Sequence, residues 1–219
     1  MQGWAAALQY YYSRKLDIVN RGHSGYNTEW SKHLISDILD CCEKDGSKIE
    51  LSVVFLGAND AANIEMNSHQ GIELERFKQN LNEIASKIIP RSRLLLVTPP
   101  PIDGPRWAAS GVNRRLDRTM EGTIRYRNTV LELGQELKVP VLDVWKAFLG
   151  PSGEFNQLKM DKLFFDGLHF DIEGNQTFYK ALVQEITTNW PELNTEALVP
   201  PLALWDAVNP KDIPNSLYQ

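Results

Sequence analysis

Asp166-Gly167-Leu168-His169 places a carboxylate three residues before an imidazole, with a glycine and one apolar residue between them. A histidine acting as a general base must keep one ring nitrogen protonated and the other free. A carboxylate bonded to the protonated nitrogen enforces that tautomer and steadies the imidazolium that follows. Two further stretches offer a different part. Gly25, in Gly22-His23-Ser24-Gly25, can expose its backbone N–H with no side chain in the way, and Asn59, in Gly57-Ala58-Asn59-Asp60, carries a neutral NH2 donor. An oriented base and two neutral donors are parts for acyl transfer through an oxyanion. Each stretch also has a plainer reading: Asp166 as a helix cap beside a surface histidine, Gly25 as a turn residue, Asn59-Asp60 as the cap of the next segment.

Composition bounds the scaffold. The 219 residues, 42% hydrophobic and 23% charged, suffice for one domain spanning residues 1–219 with a sizeable core. A net charge of -5 argues against a nucleic-acid partner, and pairs such as Arg114-Arg115 are too small to reverse it. No apolar run reaches the roughly 18 residues of a membrane span, and Met1-Gln2-Gly3-Trp4 does not open a signal peptide, so a cytoplasmic chain is expected. Cys41 and Cys42 are adjacent, and His23, His33, His69 and His169 lack ligand spacing, so no metal site is expected.

Hydrophobic periodicity supplies the elements. A helix is expected over residues 2–15, a strand over Leu16–Asn20, and a helix from an Asn27 or Thr28 cap to about Cys42. A two-sided apolar strand follows over Ile49–Leu56, then a polar loop through His69, a helix over Ile72–Ile88 and a strand over Leu94–Val97. Residues 103–118 lack a period and read as a surface insertion. A helix over Glu121–Leu137, a last strand over Val139–Val144, a loop and a helix over Glu173–Asn189 complete the body. The tail, residues 195–219, is expected to pack on the domain with Trp205 as its anchor. Strands alternating with amphipathic helices indicate an α/β fold with a parallel sheet, whose ligands bind at the carboxyl ends of the strands. Gly25, Asn59 and the Asp166 loop all follow such ends.

Arg21-Gly22-His23-Ser24-Gly25-Tyr26-Asn27-Thr28, Phe55-Leu56-Gly57-Ala58-Asn59-Asp60 and Asp166-Gly167-Leu168-His169 resemble the second, third and fifth sequence blocks of the SGNH (GDSL-type) hydrolases. The closest likeness is to their isoamyl acetate-hydrolysing esterase branch, and it covers nearly the whole chain. The resemblance implies a three-layer sandwich with a flavodoxin-like parallel sheet, and ester hydrolysis through an acyl-serine without a cofactor. It makes Gly25 and Asn59 oxyanion-hole donors, His169 the general base and Asp166 its orienting partner. The branch suggests short acetate-type esters, for which Trp107, Phe155, Phe164, Phe165 and Phe170 could line an apolar pocket, although aromatics near a loop are often simply core.

The family's first block, a strand ending in Gly-Asp-Ser, would precede the helix of residues 2–15 and carry the nucleophile. No segment of the chain matches it. Ser24 is a poor substitute, because Gly22-His23-Ser24-Gly25 lacks the spacing of a nucleophile elbow. The expected fold therefore has its first strand missing, which would leave a slot of roughly 10 Å between neighbouring strands and a poorly soluble or low-melting chain. Two functions follow: an ester hydrolase without its N-terminal block, inactive in this form, or a non-catalytic SGNH-like domain that binds an ester, lipid or protein. Self-association into a homo-oligomer is left open.

Overall fold

In the computed structural model, which describes residues 3–218, helices cover both faces of a parallel sheet. The elements in order are α1 (Trp4–Tyr11), α2 (Thr28–Glu43), β1 (Leu51–Phe55), α3 (Leu74–Ile88), β2 (Arg93–Val97), α4 (Gly104–Ala109), α5 (Met120–Leu137), β3 (Val141–Leu142), α6 (Val144–Leu149), α7 (Gln157–Leu163), α8 (Ile172–Asn189) and α9 (Ile213–Ser216). Among the described residues the sheet has three strands in the order β1-β2-β3, with Val53 opposite Leu95 and Val97 opposite Leu142. This is a parallel α/β sheet of the kind the resemblance implies, with three strands among the described residues.

The alternation of β2 builds the two cores. Successive side chains of a strand point to opposite faces. Leu95 and Val97 pack with Leu8 of α1, Trp145 and Phe148 of α6 and Phe178 of α8, while Leu94 and Leu96 pack with Leu39 of α2, Phe77 and Ile84 of α3 and Val130 of α5. Leu94 through Val97 are at most 2% exposed, whereas all five residues of β1 are only partly buried. Among the described strands β1 pairs only with β2, so its other edge carries no ladder.

That open edge leaves the preceding extended segment unpaired. Leu16–Asn20 is not a strand: Leu16 and Ile18 pack on the core and Asp17 and Val19 face outward, the alternation of a strand with no strand beside it to bond. The first helix spans Trp4–Tyr11, and residue 2, also included in that expectation, lies outside the described residues. The Asn27 cap is observed, its side chain accepting from Trp30 N at 3.0 Å. The last strand is only Val141–Leu142, because the Asp143 side chain turns to accept from the Trp145 and Lys146 amides and starts α6. The loop expected before Asp166 holds α6 and α7.

Residues 103–118 are a surface insertion only in their middle, where 109–113, 115 and 116 are exposed. They contain α4, and Asp103, Asp117 and Arg118 are buried. In the tail, Leu198 packs against the core and Arg14 Nη2 donates to the Leu202 and Ala203 carbonyls at 3.4 Å, but Trp205 is 87% exposed and anchors nothing.

Candidate active site

The Asp166 loop is closed at its base by an antiparallel bridge between Phe164 and Phe170, and Phe165 N donates to His169 O at 3.1 Å. Phe164 and Phe170 sit in the core with Phe148 and fix the loop from below. Asp166 is almost fully buried. Its Oδ1 accepts from the Leu168 and His169 amides at 3.0 and 2.8 Å, and its Oδ2 faces His169 Nδ1 at 2.8 Å. A carboxylate only accepts, so Nδ1 carries the proton and Nε2 is the basic nitrogen. Among the described residues Nε2 has no hydrogen-bond partner, and the ring is half-exposed between Phe165 and Trp107. Burial opposes the Asp166 charge, but the backbone and ring N–H donors of His169 and the Leu168 amide overcome it and hold the carboxyl at about 2.

Gly167 allows the loop to turn. Its φ is +91°, and a Cβ there would lie 2.5 Å from the Asp103 carbonyl and 2.9 Å from the Trp107 amide nitrogen. The same close approach brings Asp103 N to Gly167 O at 2.9 Å, buttoning the loop to the start of α4. Gly167→Ala is expected to lower stability by about 2 kcal/mol or more, from the left-handed backbone and the backbone clash together, read as a shift in the urea midpoint.

Gly25 and Asn59 meet through a buried polar wall. Gly25 has φ +81°, and its N–H has no acceptor among the described residues. Gln70 Nε2 joins the two positions, donating to Gly25 O at 2.9 Å and Asn59 Oδ1 at 3.3 Å. Asn59 Oδ1 also accepts from Arg118 Nη2 at 3.2 Å, while its Nδ2 donates to Tyr26 O at 2.8 Å and retains one free hydrogen. Arg118 is 2% exposed and fully used: Nε donates to Ala58 O, Nη1 to both Asp117 oxygens, and Nη2 to Gln70 Oε1 at 2.9 Å as well as to Asn59. Asp117 in turn accepts from Trp107 Nε1 at 3.0 Å and Asn67 Nδ2 at 2.8 Å.

Trp107 ties this wall to the Asp166–His169 loop. One side packs against His169 at 5.7 Å between centroids, and the Arg114 guanidinium lies 3.9 Å over the ring. Arg114 Nη1 donates to Asp166 Oδ2 at 2.7 Å, the oxygen that also receives His169. All four residues singled out from sequence, Gly25, Asn59, Asp166 and His169, therefore belong to one connected constellation. Ser24 is exposed and makes no hydrogen bond to His169. Of the expected apolar pocket, Trp107 and Phe165 flank His169, but Phe164 and Phe170 are core and Phe155 is 47% exposed. Sequence reasoning missed Gln70, Arg114, Asp117 and Arg118. The one signal available for them was the oppositely charged Asp117-Arg118 pair beside the Thr119 cap of α5.

Beneath Asn59, Asp60 is wholly buried. Its Oδ1 accepts from Thr28 N at 2.9 Å and from the Thr28 hydroxyl, while Oδ2 has no partner. Burial pushes the carboxyl up to about 6, so the folded protein holds this proton more tightly than the unfolded chain with its ordinary value of 3.8. The contribution to stability is full below about pH 4 and is lost as pH rises through 6. Two pH units at roughly 1.4 kcal/mol each make about 3 kcal/mol. Asp60→Asn is expected to flatten stability between about pH 4 and 7, measured by urea unfolding across that range. Asp166 has the opposite sign, losing its contribution only as pH falls from about 4 towards 2.

A parallel sheet between two helical layers, with an Asp–His pair and neutral donors at one rim, defines a hydrolase scaffold of SGNH type. The sequence profile of the GDSL-like Lipase/Acylhydrolase family matches residues 1–177, and the chain belongs to that family of carboxylic-ester hydrolases. It is 30% identical over 211 residues to the human Isoamyl acetate-hydrolyzing esterase 1 homolog, covering 92% of this chain and 78% of that protein. A GDSL esterase/lipase of Arabidopsis thaliana is 32% identical over 221 residues, covering 96% and 88% respectively. Among solved structures, a lipase/acylhydrolase from Enterococcus faecalis superposes with a TM-score of 0.58 at 27% identity, covering 82% of this chain and 75% of that one.

Proposed function

We propose that this chain is the greater part of an esterase for short-chain, acetate-type esters, whose nucleophilic serine lies on a Gly-Asp-Ser segment preceding residue 1. The observation that carries the reading is the 2.8 Å Asp166–His169 Nδ1 contact, which leaves Nε2 open on the rim that also holds Gly25 and Asn59. The unladdered edge of β1 and the strand-like Leu16–Asn20 segment support a further strand between them. The relatives named for isoamyl acetate hydrolysis support the acetate-type substrate.

In the reaction, His169 Nε2 takes the serine proton as the serine oxygen attacks the ester carbonyl. The oxyanion accepts from Gly25 N–H and the free Asn59 Nδ2 hydrogen. Collapse expels the alcohol, which leaves with the proton from Nε2, and water repeats the cycle on the acyl-serine. Asp166 keeps Nδ1 protonated throughout, and no cofactor enters.

The test is the coding sequence upstream of Met1, read in frame. A short apolar strand ending in Gly-Asp-Ser is the expected result. A stop codon immediately upstream would overturn the reading and leave a domain that binds without hydrolysing.

A further inference from the structure

A cleft with largely polar walls lies next to the side chains that hold Asn59 and Asp166. It measures about 420 Å³, and its walls include Trp107, Arg114, Arg115, Asp117, Arg118 and Gln70. None of Gly25, Asn59, Asp166 and His169 lines it, but side chains of its walls bond two of them: Gln70 and Arg118 bond Asn59, and Arg114 bonds Asp166. Three arginines face one aspartate in this concavity, in a chain whose net charge is -5.

The three cations are not equivalent. Arg118 is consumed by Asp117, Asn59, Gln70 and the Ala58 carbonyl, and Arg114 by Asp166 and Ser110. Arg115 is exposed and, among the described residues, has neither an ion pair nor a hydrogen bond. The Ser68 hydroxyl, the Asn113 amide and the His69 ring share the cleft and likewise donate to no protein acceptor among the described residues. Fixed positive charge in a concave site concentrates the field, and unpaired donors there suit an oxygen-rich anion.

We propose that this cleft selects esters carrying a carboxylate remote from the scissile bond, with Arg115 as the recognising cation. The substrate class rests on the esterase reading, but the charge preference is a property of the 219-residue chain and is measured by binding alone. Raising the salt concentration should weaken the interaction, because Arg115 is open to solvent.

The probes are monomethyl succinate, an anion at neutral pH, and dimethyl succinate, its neutral counterpart, each titrated into the isotopically labelled chain and followed by NMR at the His69 ring and nearby amides. The anion is expected to bind about tenfold more tightly than the neutral ester, the effect of one charge-assisted hydrogen bond. Arg115→Gln should erase that preference without altering the dispersion of the spectrum, since Arg115 is exposed and makes no hydrogen bond or ion pair among the described residues. Equal affinity for the two probes, binding of neither, or a preference that survives Arg115→Gln would overturn the proposal. Neutral ester hydrolysis does not use Arg115, so hydrolysis without a charge preference would sink only this inference. A charge preference in a chain that still fails to hydrolyse esters once a Gly-Asp-Ser strand is joined ahead of Met1 would sink only the esterase reading.

Discussion

With a Gly-Asp-Ser strand joined ahead of Met1, the lengthened chain should hydrolyse 4-nitrophenyl acetate, and His169→Ala should lower kcat by about 10⁶-fold. The size of the effect follows from the role of Nε2. It is the nitrogen left open when Asp166 Oδ2 takes Nδ1. Asp166→Asn should cost less, about 10⁴-fold, because it leaves the ring in place and loses the tautomer. Both variants should unfold at midpoints close to the parent for His169, whose ring is half-exposed, and measurably lower for Asp166, whose carboxylate also holds two backbone amides and Arg114. An alanine variant of His169 that retained a tenth of the parent rate would remove it from the chemistry.

Arg118→Ala should be the most destabilising change in the site, by about 3–5 kcal/mol, because it breaks a buried ion pair and leaves Asp117 charged without its partner. The Asn59, Gln70 and Ala58 oxygens lose donors in the same step. Urea unfolding of the 219-residue chain measures the loss. In the lengthened chain Arg118→Lys, which restores charge without the planar fork, should recover part of the stability and little of the activity. The reason is that Asn59 needs its carbonyl oxygen held by Arg118 and Gln70 to present Nδ2 outward. A loss below about 1 kcal/mol, the range of exposed pairs, would show that the wall does not depend on Arg118.

The residues that could be read in advance were those whose chemistry is local. Asp166 and His169 are three apart and bond within one loop, and Asn27 caps its own helix, so spacing alone carries the information. The buried strands were legible because Leu94 through Val97 are apolar on both faces. Leu16–Asn20 was misread because alternation marks a half-buried extended segment, whereas a strand also needs a partner, and pairing is not written in the segment itself. Arg114, Asp117 and Arg118 were misread as surface because charged residues without a period are usually solvated. Asp117 and Arg118 are buried and Arg114 is about one-third exposed, and their placement depends on partners some fifty residues away, such as Asn67 for Asp117, Asn59 Oδ1 for Arg118 and Asp166 Oδ2 for Arg114. Phe164 and Phe170 followed the commoner habit of aromatics near a loop: they flank Asp166 and His169 in sequence, but their bridge turns them down into the core.

The most direct test of the account is 4-nitrophenyl acetate hydrolysis by three proteins side by side: the 219-residue chain, the chain lengthened by its Gly-Asp-Ser strand, and the lengthened chain with that serine changed to alanine. Hydrolysis by the second alone is the predicted result, with the first and third at the rate of buffer. Hydrolysis by the 219-residue chain that disappears with His169→Ala would contradict it, placing the nucleophile among residues 1–219. A folded but inert lengthened chain would contradict it from the other side.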